Sequence, residues 1–229
     1  MKKKIIITIS LIVVLAVMGL FLILMKTDEP TKTFTDEEIE FKNEYENLNG
    51  TNYNEKVILK EISVDNDNNV KYVNDDEILS LLESGTNVIY FGWPECNWCR
   101  TIIPVLIEKI KENNIETLYY YNFKNLRVAY ENNNDPKKVE IYEKIIKIIG
   151  EDIESLFDET SERSGEKKIL APTVVFIKNG NYIGLHVKSV DSQINSTDVL
   201  NENQFKELKK IYQDYLTQLN LEVCYDEGC

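Results

Sequence analysis

The sequence predicts an α/β domain, a central sheet flanked by helices, placed behind an N-terminal membrane-spanning helix. Three observations carry this reading. An uncharged apolar stretch runs from Ile5 to Met25. A strand-like run, Asn87 to Phe91, stops at Gly92-Trp93-Pro94 and gives way to a stretch of helical periodicity. Two more strand-like runs, Val174 to Lys178 and Tyr182 to Val187, are separated by Asn179-Gly180 and followed by an amphipathic stretch from Phe205 to Leu219.

Taken in order, Lys2, Lys3 and Lys4 precede an apolar run of 21 residues broken only by Thr8, Ser10 and Gly19. That length spans a bilayer as a helix. A cleaved signal would have a shorter apolar core and a small-x-small site, which the sequence lacks, so residues 1–25 read as an uncleaved anchor. The basic flank should remain in the cytoplasm, leaving the rest of the chain outside. With those three lysines set aside, 23 Lys and Arg stand against 39 Asp and Glu, a net of −16. A surface this acidic repels phosphate backbones and argues against nucleic acid as a partner. Some 200 residues beyond the anchor suffice for one domain with a full core.

Residues 26–50 are charged, contain Pro30 and read as a tether, with Thr35 capping a short helix to about Leu48. Residues 51–220 read as the folded domain. Val57 to Val64 alternates as a strand, Asp65 to Asn69 is a polar turn, and Val70 to Val73 is a short partner strand. Asn74 or Asp75 can cap a helix carrying Ile78, Leu81 and Leu82, ended by Gly85. Glu116 to Phe123 is a further strand. Residues 124–168 turn helical and polar, with Asp135-Pro136 opening a helix that Gly150 stops, and read as a helical insertion. Residues 221–229 form a tail bearing Cys224 and Cys229.

The chemistry concentrates at Cys96-Asn97-Trp98-Cys99. Ile103, Leu106, Ile107 and Ile110 recur at helical spacing, so a helix starts near Cys96. Free N–H groups and the positive dipole end at a helix start favour a thiolate, which lowers the pKa of Cys96. Cys99, one turn on, can close a disulfide with it. The pair therefore reads as a nucleophile and a resolving thiol, with a static disulfide or half of a zinc site as the alternatives for a bare C-x-x-C.

Two segments together resemble the thioredoxin superfamily: Cys96-x-x-Cys99-x4-Pro104, with its proline inside the helix, and Leu170-Ala171-Pro172-Thr173-Val174 through Gly180. The resemblance covers roughly Val57 to Leu219 without the insertion, and it implies a thioredoxin-like fold with a central mixed sheet. The anchored layout and the run Tyr90-Phe91-Gly92-Trp93-Pro94-Glu95-Cys96 are similar to membrane-anchored thioredoxin-like proteins, described as bacteriocin transport accessory proteins, of Gram-positive bacteria. What the resemblance implies is a cis Pro172 facing the cysteines, with the Ala171 backbone available to an extended substrate. It also implies a thiol–disulfide oxidoreductase that needs no metal or cofactor. Its partners would be protein or peptide thiols and disulfides, and a redox partner that regenerates the pair. The chain departs from the family at Tyr90, where thioredoxins place a buried acid. A phenol is a poor base at neutral pH, so another group or water must take the proton of Cys99. The insertion could roof a substrate groove or enlarge the core.

Trp93 and Trp98 flank the thiols and read either as an apolar substrate surface or as packing. His186, the only histidine, reads as structural. Glu95 places a negative charge beside the nucleophile. Cys224 and Cys229 read as a stapling disulfide or as a second redox pair, with zinc held by all four cysteines a remoter option. The rival to an enzyme is a thioredoxin-fold accessory module that holds an exported peptide around an inert disulfide.

Overall fold

The structure is a computed structural model and describes residues 33–53, 55–153 and 166–220. All described elements belong to a unit that opens at Phe34. In chain order they are α1 (Asp36–Glu46), β1 (Asn52–Tyr53), β2 (Val57–Ile58), β3 (Val70–Tyr72), α2 (Ile78–Glu83), β4 (Asn87–Phe91), α3 (Asn97–Glu112), β5 (Leu118–Tyr121), α4 (Lys124–Asn132), α5 (Pro136–Ile149), a 3-10 turn (Gly150–Asp152), β6 (Thr173–Lys178), β7 (Asn181–Val187) and α6 (Glu202–Asn220).

Five strands form one sheet in the order β3-β5-β4-β6-β7. β3, β5 and β4 are parallel; β6 joins antiparallel to β4, and β7 antiparallel to β6. This is the mixed sheet with helices on both faces that the sequence predicts. The central strand β4 is buried along its whole length, which is why its sequence is a continuous apolar run without polar alternation. Its residues still divide between the faces. Val88 and Tyr90 pack with α1, α3 and α6, whereas Ile89 and Phe91 pack with α2 and α5. The hairpin between β6 and β7 turns on Asn179 and Gly180, with φ of 50° and 73°, the left-handed pair that a tight hairpin requires.

Two expectations are corrected. The stretch read as a tether contributes α1 to the core: Phe41 and Tyr45 are fully buried, and Thr35 and Glu38 close a capping box at the helix start. Val57 to Val64 and Val70 to Val73 do not pair. β2 pairs only with β1, and β3 with β5. Side chains satisfy the amides of the intervening segment in place of a ladder: Asn97 Oδ1 accepts from Lys60 N, Asn49 Oδ1 from Ile62 N, and Glu46 Oε1 from Val64 N. The insertion enlarges the core: α5 buries Ile141, Tyr142, Ile145 and Ile149 on the second sheet face. Tyr142 also accepts a hydrogen bond from the Ile169 amide at 2.8 Å, fixing the chain as it enters the loop before β6.

The segment 5–25, expected to be an anchor, and the tail with Cys224 and Cys229 lie outside the described residues. Among the described residues, no helix is long and apolar enough to cross a membrane.

Candidate active site

Strand β4 delivers the chain to Gly92-Trp93-Pro94, and Cys96 becomes the N-cap of α3 with extended backbone angles, φ −95° and ψ 113°. Its amide bonds to Trp93 O, and its carbonyl accepts the first helical bond from Arg100 N at 2.9 Å. Its sulfur takes the capping role usually held by an oxygen, accepting from the Cys99 amide at 3.3 Å. On its other side, Cys96 Sγ donates to the carbonyl of Ala171 at 3.4 Å. The Ala171–Pro172 peptide bond is cis. Both cysteines carry free thiols, Cys96 half-buried and Cys99 fully buried.

Their environments drive the two thiols apart. The hydrogen bond from Cys99, the backbone N–H groups of Cys99 and Trp98, and the charge of Arg127 hold the Cys96 pKa below the ordinary thiol value, against the opposing effect of burial. Burial, together with the neighbouring Cys96, pushes Cys99 well above it. Tyr90 acts in the opposite sense, its hydroxyl favouring the Cys99 thiolate. The phenol fits there because residue 92 is glycine: a Cβ at that position would stand 2.1 Å from Tyr90 Oη.

Arg100 was legible only as the residue after Cys99, yet it organises the floor of the site. It is fully buried, and its hydrogen bonds run to four neutral oxygens: Lys60 O, Tyr45 O, Pro94 O and Asn49 Oδ1. Its charge faces Tyr45, Tyr90 and Cys99. Asn97 clamps the other strand of chain, donating to Ile58 O while accepting from Lys60 N. Lys60 reaches Thr101 Oγ1 and the Asp198 carbonyl; burial lowers its pKa to about 8, although the charges of Asp198 and Cys96 favour its protonated form. None of these three roles has a sequence signal, because each depends on segments far apart in the chain.

The remaining candidates are distributed as follows. Trp93 packs on Phe123 at 5.2 Å between ring centres, with the Arg127 guanidinium 5.4 Å over its ring. Trp98 is half-buried on the first turn of α3. Glu95 pairs with Lys124 at 2.7 Å, which offsets its charge beside the nucleophile. His186 sits on β7 opposite Val174, with Nδ1 3.3 Å from Tyr212 Oη, and burial lowers its pKa.

No family model matches the chain. The curated proteins likewise contain no match. Among solved structures, the chain is similar to thioredoxin O1 from Arabidopsis thaliana in its oxidized state, with 19% identity, 63% of this chain and 97% of that chain covered, and a TM-score of 0.34.

Proposed function

We propose that this chain is a thiol–disulfide oxidoreductase acting on protein disulfides or dithiols, held outside the cytoplasm by the apolar segment 5–25. The observation that carries the reading is the divided pair: a half-exposed Cys96 with a lowered pKa, beside a fully buried Cys99 with a raised one. A nucleophile needs access and thiolate character, while a resolving thiol must stay protonated until a mixed disulfide has formed.

In the reducing direction, the Cys96 thiolate attacks one sulfur of a substrate disulfide. A Cys96–substrate bond forms, the substrate S–S bond breaks, and the other substrate sulfur leaves as a thiolate. Cys99 then loses its proton and attacks Cys96 Sγ. The second substrate sulfur leaves, and two electrons have passed from the pair to the substrate. Oxidation of a dithiol is the reverse. The Ala171 backbone beside Cys96 offers an extended substrate a place to hydrogen bond, as in strand addition. A separate redox partner restores the pair after each cycle.

The test is direct. Cys96→Ser should abolish insulin reduction and dithiol oxidation, and Cys99→Ala should accumulate mixed disulfides with its partners in cells. Full activity in Cys96→Ser would remove the reading, and a parent that showed neither activity would leave the accessory module, which holds a peptide without turning over.

A further inference from the structure

The backbone around Ala171 borders a cavity of about 210 Å³ that the redox steps leave unused. Its apolar walls come from segments far apart in the chain. Ile153 follows the 3-10 turn of the insertion, Leu170 and Thr173 bracket the cis Ala171–Pro172 bond, and Val187 ends β7. Backbone and side chain hold these segments together: Thr173 pairs with Val187, Thr173 Oγ1 donates to Leu170 O at 2.9 Å, and the Lys188 amide donates to Pro172 O. Ile153 and Thr173 are buried. Leu170 is half-buried, and among the described residues it packs against neither core cluster. A leucine side chain thus lines the cavity one residue before the carbonyl that contacts Cys96 Sγ.

Size and charge narrow the occupant. Sites for small organic molecules measure roughly 300–1,000 Å³, so this cavity is undersized for a whole small molecule and suits one large side chain. The charged groups of its lining balance, Lys168 and Lys188 against Asp152 and Asp191. Two of them are engaged elsewhere, Lys168 with Glu131 and Asp152 with the hydroxyl of Tyr182. Apolar walls within a balanced set of charges favour an uncharged, apolar group.

We propose that this cavity is a specificity subsite for the polypeptide substrate, taking one large apolar side chain, such as leucine, within about three residues of the attacked cysteine. This inference deepens the oxidoreductase reading and rests on it. A substrate strand held at the Ala171 backbone advances about 3.3 Å per residue, so the neighbours of its cysteine pass along the cavity wall while its sulfur stays against Cys96. Burial of the side chain favours association with the substrates that carry it, and a charged residue at the same position would lose its hydration against Ile153, Leu170 and Val187. Through Ile153 the helical insertion takes part in substrate choice as well as in the core.

The experiment uses the full-length chain with Cys224→Ser and Cys229→Ser, reduced and mixed in a stopped-flow instrument with short alanine-based peptides. Each peptide carries its single cysteine as the mixed disulfide with thionitrobenzoate. When the Cys96 thiolate attacks the peptide sulfur, a Cys96–peptide bond forms, the bond to thionitrobenzoate breaks, and the coloured thiolate leaves. A leucine, and in a parallel series an aspartate, is moved through the three positions on either side of the cysteine. One position should stand out, with leucine raising the second-order rate about tenfold over alanine and aspartate lowering it. Val187→Phe fills the cavity and Leu170→Asp places a charge in its wall, and each should reduce the leucine-to-alanine ratio to about twofold or less. The ratio is taken within each variant, so a general loss of activity cancels. If one variant fails to fold, the other carries the test, and the parental scan stands by itself. Equal rates for leucine and alanine at every position in the parent, or the parental ratio retained in both variants, would overturn the subsite. With dithiobis(nitrobenzoate), which has no peptide, the parent should release coloured thiolate twice, first as Cys96 attacks and then, independent of concentration, as Cys99 resolves. Absence of that second release would instead remove the oxidoreductase reading beneath the proposal.

Discussion

Cys96 Sγ lies 3.4 Å from the carbonyl oxygen of Ala171, a residue 75 positions further along the chain. This contact joins the start of α3 to the cis Ala171–Pro172 loop, so the half-exposed sulfur and a backbone acceptor share one rim of the site. The other face of that sulfur receives the Cys99 amide, and the fully buried Cys99 lies behind it.

Selective alkylation follows from that geometry. With iodoacetamide near neutral pH, the reduced domain should be labelled at Cys96 and spared at Cys99, because only Cys96 combines access with thiolate character. Deprotonation raises reactivity, so the rate should climb with pH through a midpoint below that of an ordinary thiol. Peptide mapping checks the site, and the pH series checks the sign. Equal labelling of the two cysteines in the folded protein would contradict the divided pair.

Much of this architecture could be read from local patterns. The strand before Cys96, the Asn179-Gly180 hairpin and the Asp135-Pro136 helix start are each specified by a few adjacent residues. The role of α1 was not legible because Phe41 and Tyr45 are its only large apolar residues in the core, embedded among acids, with Ile39 facing solvent. Residues 59–64 misled for a related reason. They form no strand, because side chains of Asn97, Asn49 and Glu46 take the hydrogen bonds that a neighbouring strand would otherwise supply. Tyr90 read as a poor base when considered alone; its hydroxyl lies 2.7 Å from that of Tyr45 on α1, a tertiary contact that no local pattern records.

Gly92→Ala should be among the most damaging small substitutions. The added Cβ would fall 2.1 Å from Oη and 2.3 Å from Cζ of Tyr90, and that ring is fully buried against Tyr120. Overpacking of this kind costs about 1–3 kcal/mol, and the severity of the overlap places this case toward the upper end. Thermal unfolding should show the loss. In a Gly92→Ala/Tyr90→Leu double variant the combined cost should be smaller than the two separate costs added together, since the smaller side chain removes the clash.

Arg100→Met should destabilise the domain by roughly 3 kcal/mol, because four oxygens each lose a hydrogen bond from a buried guanidinium and the substituted side chain replaces none. Arg100→Lys should recover little, as one ammonium cannot reproduce a planar fork directed at several carbonyls. Loss of the cation should also raise the Cys99 pKa further, so resolution at neutral pH should slow more than the initial Cys96 attack. Denaturant titration measures the first effect, and trapping of the mixed disulfide measures the second.

Lys60 provides the test of stability against pH. Its pKa is about 8 in the folded chain against a reference of 10.5, chiefly because burial disfavours the ammonium. Between those values the unfolded chain binds more protons at this position than the folded one, so raising the pH through that window favours folding. Below it, the lysine is charged in both states and its full desolvation cost opposes folding. Lys60→Met keeps the apolar stem and removes the titrating group. The melting temperature of the parent relative to Lys60→Met should therefore rise as pH increases from about 8 toward 10, while ionisation of other groups largely cancels in the difference. A constant difference across that range, measured by circular dichroism, would show that the lysine is solvated in the folded protein and that its contacts with Thr101 and Asp198 do not hold it in a desolvated site.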